Sequence, residues 1–516
     1  MKKRACAVPI RLAVFSLAAV LFIVTGALAR PTTEGETKTV VLNWLSSEAK
    51  PMNSDLGGQI KRVQSFADPE AGLAYYVVFL NPAGLVFVPA DDLVEPIIGF
   101  VSGATTYSPS SSNPLGALVS RDIPGRVLKA RGMEASAAPQ AVFPSPDTPW
   151  EKARSKWNQL ESPVLAEKTG TGLLQVSDVR IAPLVQSKWG QTGADSSYDP
   201  HPCYNYYTPP YTAGQYNYPC GCSATAMAQI FRFWEYPKAG VGTTSFQIKV
   251  DGETATRSLR GGDGSGGPYN WAEMPLTTSS KTSTAQCQAI GALSADAGVS
   301  IGMKYSESGS SAWAYGYAFT DTFGYGNAIF AYNSGDNFPE NNLLATLNPN
   351  LDARYPLIID IKGSGGHSVV CDGYGYNTST LYHHLNMGWL GKSDAWYNLP
   401  NVETGSYTYS SVYGATYNIF VTGAGEIISG RVTDSSGNPV SGAVVTGTAA
   451  TGVPYNATTD ANGIYALIPV PSASTYSVNA SKAGYTFPGP QTVSTGTSTQ
   501  KTVTTGNVWG INFVGN

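Results

Sequence analysis

A cysteine at the start of an apolar helix constrains this chain more than any other feature. Tyr218-Pro219-Cys220-Gly221 is turn chemistry, and the run from Cys222 to Trp234 follows with helical spacing. Ala226, Ile230, Phe233 and Trp234 share one face, and Pro237 and Gly240 close the segment. The fold must therefore bury a helix whose first turn carries a thiol. Unpaired backbone N–H groups and the helix dipole at that end favour an anion. That lowers a thiol pKa and raises the thiolate fraction. Cys222 reads as one half of a nucleophilic pair, or else as a small apolar residue capping a core helix.

The rest of the chain sets limits on that reading. At 516 residues it exceeds one hydrophobic core and divides into three or four domains. Charged residues make up only 13%, net charge is -4, and no basic run is large enough for a nucleic-acid partner. With 56 Gly, 34 Pro and 30 Tyr, turns and aromatic strand positions abound, as in extracellular proteins rich in β structure. Lys2, Lys3 and Arg4, the apolar run Leu12 to Val24, and Ala27-Leu28-Ala29 form an export signal over 1–29. The expected location is secreted, with cell-surface association possible in principle. Beyond Cys6, the odd set Cys203, Cys220, Cys222, Cys287 and Cys371 leaves at least one free thiol, and Cys203 could pair with Cys220. No C-x-x-C occurs and histidines number 4, so neither metal nor cofactor is expected.

Composition divides what remains. Residues 30–131 read as a small α+β unit around the hairpin Ala74–Leu80 and Leu85–Pro89, which Asn81-Pro82-Ala83-Gly84 connects. Residues 132–175, rich in Ala, Pro and Ser over 135–149 and charged over 151–156, read as an exposed, easily nicked linker that could hold a short helix. The largest unit spans 176–424, helix first and sheet late. Residues 425–516 alternate in short strands with turn signals such as Asp460-Ala461-Asn462-Gly463, the pattern of a β-sandwich.

A base for Cys222 is offered by His367, which Gly366 precedes and a strand follows. A hairpin centred on Tyr376-Asn377 would make Asn386 the cross-strand partner of His367. There its amide could fix the imidazole tautomer, in the Cys-His-Asn logic of papain-like proteases. Gln191, on a loop upstream, could offer its side-chain NH₂ beside the Cys222 N–H to an oxyanion. His383 and His384 point to opposite faces of one strand and read as structural; His201 reads as exposed.

Five separated segments carry a resemblance. Gly221-Cys222-Ser223-Ala224-Thr225-Ala226, Tyr269-Asn270-Trp271, Met303-Lys304-Tyr305, the histidine segment to Gly373, and Asn386-Met387-Gly388-Trp389 resemble the streptopain family of cysteine peptidases in order and spacing. The likeness covers about Val176 to Tyr409. It implies an α+β protein: a papain-like peptidase domain, an α+β inhibitory prodomain at 30–131, and protein or peptide substrates. It also implies Cys222 as nucleophile, His367 as acid/base, Asn386 as orienter, Gln191 as oxyanion donor, and Trp389 and Gly366 packing around the histidine. The chain would then be a secreted cysteine endopeptidase made as a latent precursor, its own prodomain the intramolecular inhibitor. The tail is similar to carboxypeptidase-regulatory-like sandwich modules, through Gly430-Arg431-Val432-Thr433-Asp434 and Gly484-Tyr485. Met387 departs from the family, which has a tryptophan beside the asparagine. The rival readings are a transglutaminase-like acyl transferase using Asp372, and an inactive binding or adhesion protein on the peptidase fold.

Overall fold

The computed structural model describes residues 30–137, 148–162, 177–195, 201–210, 217–332, 338, 340–362, 366–399, 412–450 and 452–516. The export signal and much of the expected linker lie outside the described residues.

Helix α1 (Glu34–Ser47) starts at a reciprocal capping box. Thr33 Oγ1 accepts from the Glu36 N–H, and the Glu36 carboxylate accepts from the Thr33 N–H. Strands β1 (Gln59–Asp68), β2 (Gly72–Asn81), β3 (Leu85–Pro89) and β4 (Gly99–Val101) then pair antiparallel in sequence, with the expected hairpin as β2–β3. Helix α2 (Pro114–Ala137) has no counterpart in the sequence reading. Pro124 and glycines 116, 125 and 132 lower its propensity, while burial of Leu115, Leu118, Val119, Ile123 and Val127 restores it through packing. Helix α3 (Pro149–Glu161) lies inside the stretch expected to be an exposed linker. It buries Ala153, Trp157 and Leu160, and the Trp157 indole donates to the Val94 carbonyl at 2.8 Å. The sequence allows a short helix within the linker, but its packing through these side chains corrects the expectation that the stretch is exposed.

Strand β5 (Ser177–Ile181) precedes helix α4 (Cys222–Trp234). A small sheet of β6 (Ser245–Val250), β7 (Glu253–Ser258) and β8 (Lys304–Tyr305) flanks helix α5 (Thr284–Ser300). Next come β9 (Asn327–Tyr332), α6 (Glu340–Asp352), β10 (Leu357–Lys362), β11 (Gly366–Asn377), β12 (Thr380–Asn386), β13 (Ala395–Tyr397) and β14 (Val412–Phe420).

The N-terminal meander and these later strands form one continuous sheet. Its order is β1-β2-β3-β4-β13-β12-β11-β10-β14-β9, with β5 also on β11. The junction is β4 on β13, where Phe100 faces Trp396 and Gly99 faces Tyr397. Alternation along β10 sends Leu357, Ile359 and Ile361 into the core shared with α2 and α6, and Ile358 into the core around α4. The overall class is α+β, as expected.

Strands β15 (Glu426–Asp434), β16 (Val444–Ala449), β17 (Tyr455–Thr458), β18 (Ile464–Val470), β19 (Thr475–Ser481), β20 (Gln491–Ser494) and β21 (Phe513–Gly515) form two further sheets around their own core of Ile428, Val432, Val445, Leu467, Tyr476 and Val478. This all-β sandwich is docked through buried polar contacts. Asp352 on α6 accepts from Tyr374 Oη at 2.7 Å and from Ser429 Oγ at 2.8 Å. Gln500 donates to the Ala328 carbonyl at 2.7 Å and accepts from the Phe330 N–H at 2.9 Å, covering the edge strand β9.

Candidate active site

Gly221 delivers the chain into α4 with φ 93°, a left-handed conformation that glycine adopts freely, and a Cβ there would come 2.8 Å from the Met303 methyl. Cys222 is then the first helical residue, half-buried, while Cys220 beside it is fully buried. Their thiols differ accordingly. Burial pushes Cys220 up to about 12. Burial also acts to raise Cys222, but the His367 imidazole and the Ser368 N–H, 3.4 Å from Sγ, outweigh it and hold the thiol below its ordinary value. His367 responds in the opposite sense. Burial lowers its pKa, yet the Cys222 sulfur and the Ser111 carbonyl raise it above the usual imidazole value. The two shifts have the opposite directions that an interacting thiol and imidazole impose on each other.

The second contact of the imidazole comes from the N-terminal region. Nε2 lies 2.6 Å from the Ser111 carbonyl oxygen, two residues before Asn113, whose side chain caps α2 at the Leu115 N–H. Nδ1 is buried with no oxygen or nitrogen partner. Gly366 leaves room for the Tyr413 hydroxyl, which any Cβ would strike.

Asn386 does not meet His367. The turn sits at Thr378-Ser379, both with positive φ, so Asn386 pairs with Val370 and His367 with Ile361 on β10. The expected register placed the turn two residues earlier; that shift alone would set Asn386 opposite Cys371, and a bulge between Cys371 and Gly373 brings it back by one residue to Val370. Asn386 instead exchanges amide contacts with Gln229 of α4 at 3.0 and 3.2 Å and donates to the Ser187 carbonyl at 2.8 Å. Gln229 Oε1 in turn accepts from the Trp189 N–H at 3.2 Å. This pairing ties the nucleophile helix to the loop leading to Gln191. Gln191 lies alongside the helix start, where its carbonyl accepts from the Cys220 N–H at 2.9 Å.

Trp389 is half-buried on the rim of a cavity of about 860 Å³ between the 102–113 loop, Lys188 and the 389–394 turn. Met387, which replaces the family tryptophan, is fully buried in the core under the sheet. Asp372 is committed elsewhere: its carboxylate meets His384 Nδ1 at 2.6 Å and accepts from the Val185 N–H at 2.8 Å. His383 is buried against Asn348, and burial pushes it down to about 3. His201 is exposed. Cys203 and Cys220 form no disulfide, so the pairing considered for them is not made. Sequence reasoning missed Ser111, Gln229 and Ser368. Only Gln229, a lone polar side chain amid the apolar run of α4, carried a readable signal. Among the described residues no cluster of His, Cys, Asp and Glu could hold a metal ion.

A thiol at a helix N-terminus facing an imidazole at a strand end is the arrangement of thiol-dependent acyl-transfer sites. Residues 198–397 match the Peptidase C10 family, and residues 427–507 match the carboxypeptidase regulatory-like domain, so both resemblances read from the sequence are found. Streptopain of Streptococcus pyogenes serotype M1 is 32% identical over 191 residues, which are 35% of this chain and 45% of that protein. The chain thus spans less than half the length of the curated streptopains it matches. The thiol protease/hemagglutinin PrtT of Porphyromonas gingivalis is 29% identical over 230 residues, 44% of this chain and 25% of that one. Among solved structures, a Prevotella intermedia prointerpain A fragment aligns over 70% of this chain and 98% of its own, with TM-score 0.45 and 18% identity.

Proposed function

We propose that this protein is a secreted cysteine endopeptidase made as a latent precursor. The observation that carries the reading is the Cys222–His367 pair, with the thiol held below its ordinary pKa and the imidazole above. The thiolate attacks the scissile carbonyl carbon, and the Cys222 N–H and the Gln191 amide stabilise the oxyanion. The imidazolium gives its proton to the leaving amine, which departs and leaves an acyl thioester. Neutral His367 then takes a proton from water; the hydroxide attacks the thioester, and collapse releases the acid and restores the thiolate. Substrates are proteins or peptides.

Latency rests on Ser111. Its carbonyl occupies the ring nitrogen that a catalytic orienter would use, and it belongs to the region that resembles a prodomain. No orienter is assigned to Asn386, whose amide serves Gln229. The transglutaminase-like alternative loses support because Asp372 is held by His384 and Val185 rather than turned to His367.

The test is a thiol-directed peptidyl epoxide followed by peptide mass spectrometry on the processed protein. Label on Cys222 alone, with Cys222→Ala and His367→Ala each reducing turnover by about 10³-fold or more, supports the reading. Label on Cys220 or Cys371 with Cys222 untouched rejects it.

A further inference from the structure

Behind the nucleophile lies a buried carboxyl group that the reaction above does not use. Asp360 on β10 is 1% exposed. One oxygen, Oδ1, is 2.6 Å from Ser368 Oγ; the other, Oδ2, is buried with no hydrogen-bond partner. Ser368 Oγ is also 2.9 Å from Ser223 Oγ, the residue after Cys222, and Ser223 Oγ is 2.5 Å from the Ala312 carbonyl. The Ser368 N–H points to the Cys222 sulfur.

Counting protons assigns the state of this chain of contacts. Each serine hydroxyl has one proton. The Ala312 carbonyl only accepts, so Ser223 donates to it. The contact between the two hydroxyls then needs the proton of Ser368. None is left for the contact between Ser368 and Asp360 unless Asp360 supplies it. An ionised Asp360 would force two hydroxyl lone pairs together and leave a buried anion with an unpaired oxygen, which costs far more than a buried neutral acid.

The surroundings agree. A negative charge on Asp360 would act on the Cys222 thiol of α4 and on the Tyr315 phenol before β9, raising both. Strand β11 presents Ser368, and β14 presents Gly414, whose absent side chain leaves space beside Oδ2. Helices α2 and α6 pack on the opposite face of β10 through Leu115, Leu118, Leu343 and Leu347. No cation among the described residues acts on the group, and burial raises it to about 6 against the Ser368 contact, which lowers it, so the neutral form prevails below that pH.

We propose that Asp360 is a positioning residue for the Cys222–His367 pair: as a neutral acid it donates to Ser368 Oγ and so fixes the Ser368 N–H against the Cys222 sulfur. This deepens the thiol-site reading of the previous subsection and rests on it. Ionised Asp360 and a Cys222 thiolate repel, so each favours the other's protonated form, and the two titrate as a coupled pair.

The experiment is alkylation of Cys222 in the full chain by iodoacetamide, followed as rate against pH, for wild type and Asp360→Asn. The amide keeps a donor toward Ser368 and cannot ionise. Wild type is expected to rise in two steps. The Asn variant rises in one, displaced toward acid by about half a pKa unit, which is about threefold in thiolate fraction on the steep part of the curve. Superimposable profiles that both show a thiolate near neutral pH overturn the role of Asp360 alone. Profiles of an ordinary thiol in both proteins overturn the thiol-site reading and this proposal with it. A second measurement needs no variant at 360. Ser368→Ala removes the acceptor of the acid proton and is expected to shift the infrared carbonyl band of a protonated carboxyl; an unmoved band rejects the donor chain.

Discussion

The backbone carbonyl of Ser111 lies 2.6 Å from Nε2 of His367, across 256 residues of sequence. On the latent-precursor reading proposed above, no substrate is turned over while Ser111 holds that ring nitrogen. Wild-type precursor is therefore expected to lose its N-terminal mass over time, with the cut falling in 132–175 on either side of α3, while Cys222→Ala precursor stays whole. Intact mass spectrometry follows both. If uncleaved wild type already matches the processed form in turnover, the inhibitory contact has no functional weight.

Asn386→Ala should act through structure rather than through the base. It removes the partners of a fully buried Gln229 amide and of the Ser187 carbonyl. Leaving buried polar groups unpaired costs about 1–3 kcal/mol. Urea denaturation should show a loss of that order, and turnover should fall because the loop to Gln191 loosens. The pH dependence of Cys222 alkylation should stay as in wild type, since His367 has no bond to lose. A displaced alkylation profile would restore Asn386 as the orienter.

Asp352 makes stability depend on pH. Burial raises it to about 7, although Tyr374 and Ser429 both donate to it. A carboxyl group with a raised folded pKa favours the unfolded state as soon as the unfolded chain can ionise. Its contribution is therefore fully present below about pH 4, declines between about 4 and 7, and is flat above. Thermal unfolding at about pH 5 and about pH 8 should show that decline in wild type and a smaller one in Asp352→Asn. Equal declines in the two proteins would remove Asp352 from the account.

Deleting the chain from Gly425 onward should harm the peptidase region. It would strip Ser429 from Asp352 and Asn507 from Asn418, and uncover β9 where Gln500 now pairs with its backbone. An uncovered edge strand is a template for aggregation. The truncated protein is expected to unfold at lower temperature and to self-associate on size-exclusion chromatography. A monomer with unchanged unfolding would mean that these contacts bear no weight.

What could be read in advance followed from local signals. The Cys222 helix, the 74–88 hairpin and the strands at Glu426 and Thr475 announce themselves through periodicity and turn residues. Helix α2 did not, because Pro124 and its glycines mask a pattern that only packing of Leu118 and Ile123 rescues. Cys222 and His367 were visible as types in context. Their partners were not: a one-residue bulge and a shifted turn moved Asn386 three positions from His367, and a long-range carbonyl such as that of Ser111 leaves no trace in sequence. The sandwich was legible as a unit, but its docking through Asp352 and Gln500 depends on surfaces that no local pattern describes.

The pairing of β4 with β13 carries a consequence for timing. A protease nick between the N-terminal region and the later strands breaks one covalent bond and leaves the backbone pairing of Phe100 with Trp396, and of Gly99 with Tyr397, in place. The buried bridge from Tyr397 to Asp122, at 2.7 Å, persists as well. If the N-terminal region masks the site as proposed, scission and unmasking are separate events, the second governed by how fast two halves of a shared sheet come apart. A nicked but silent complex would act as a clock, with its delay written in the off-rate of three-residue strands rather than in the speed of the cutting enzyme.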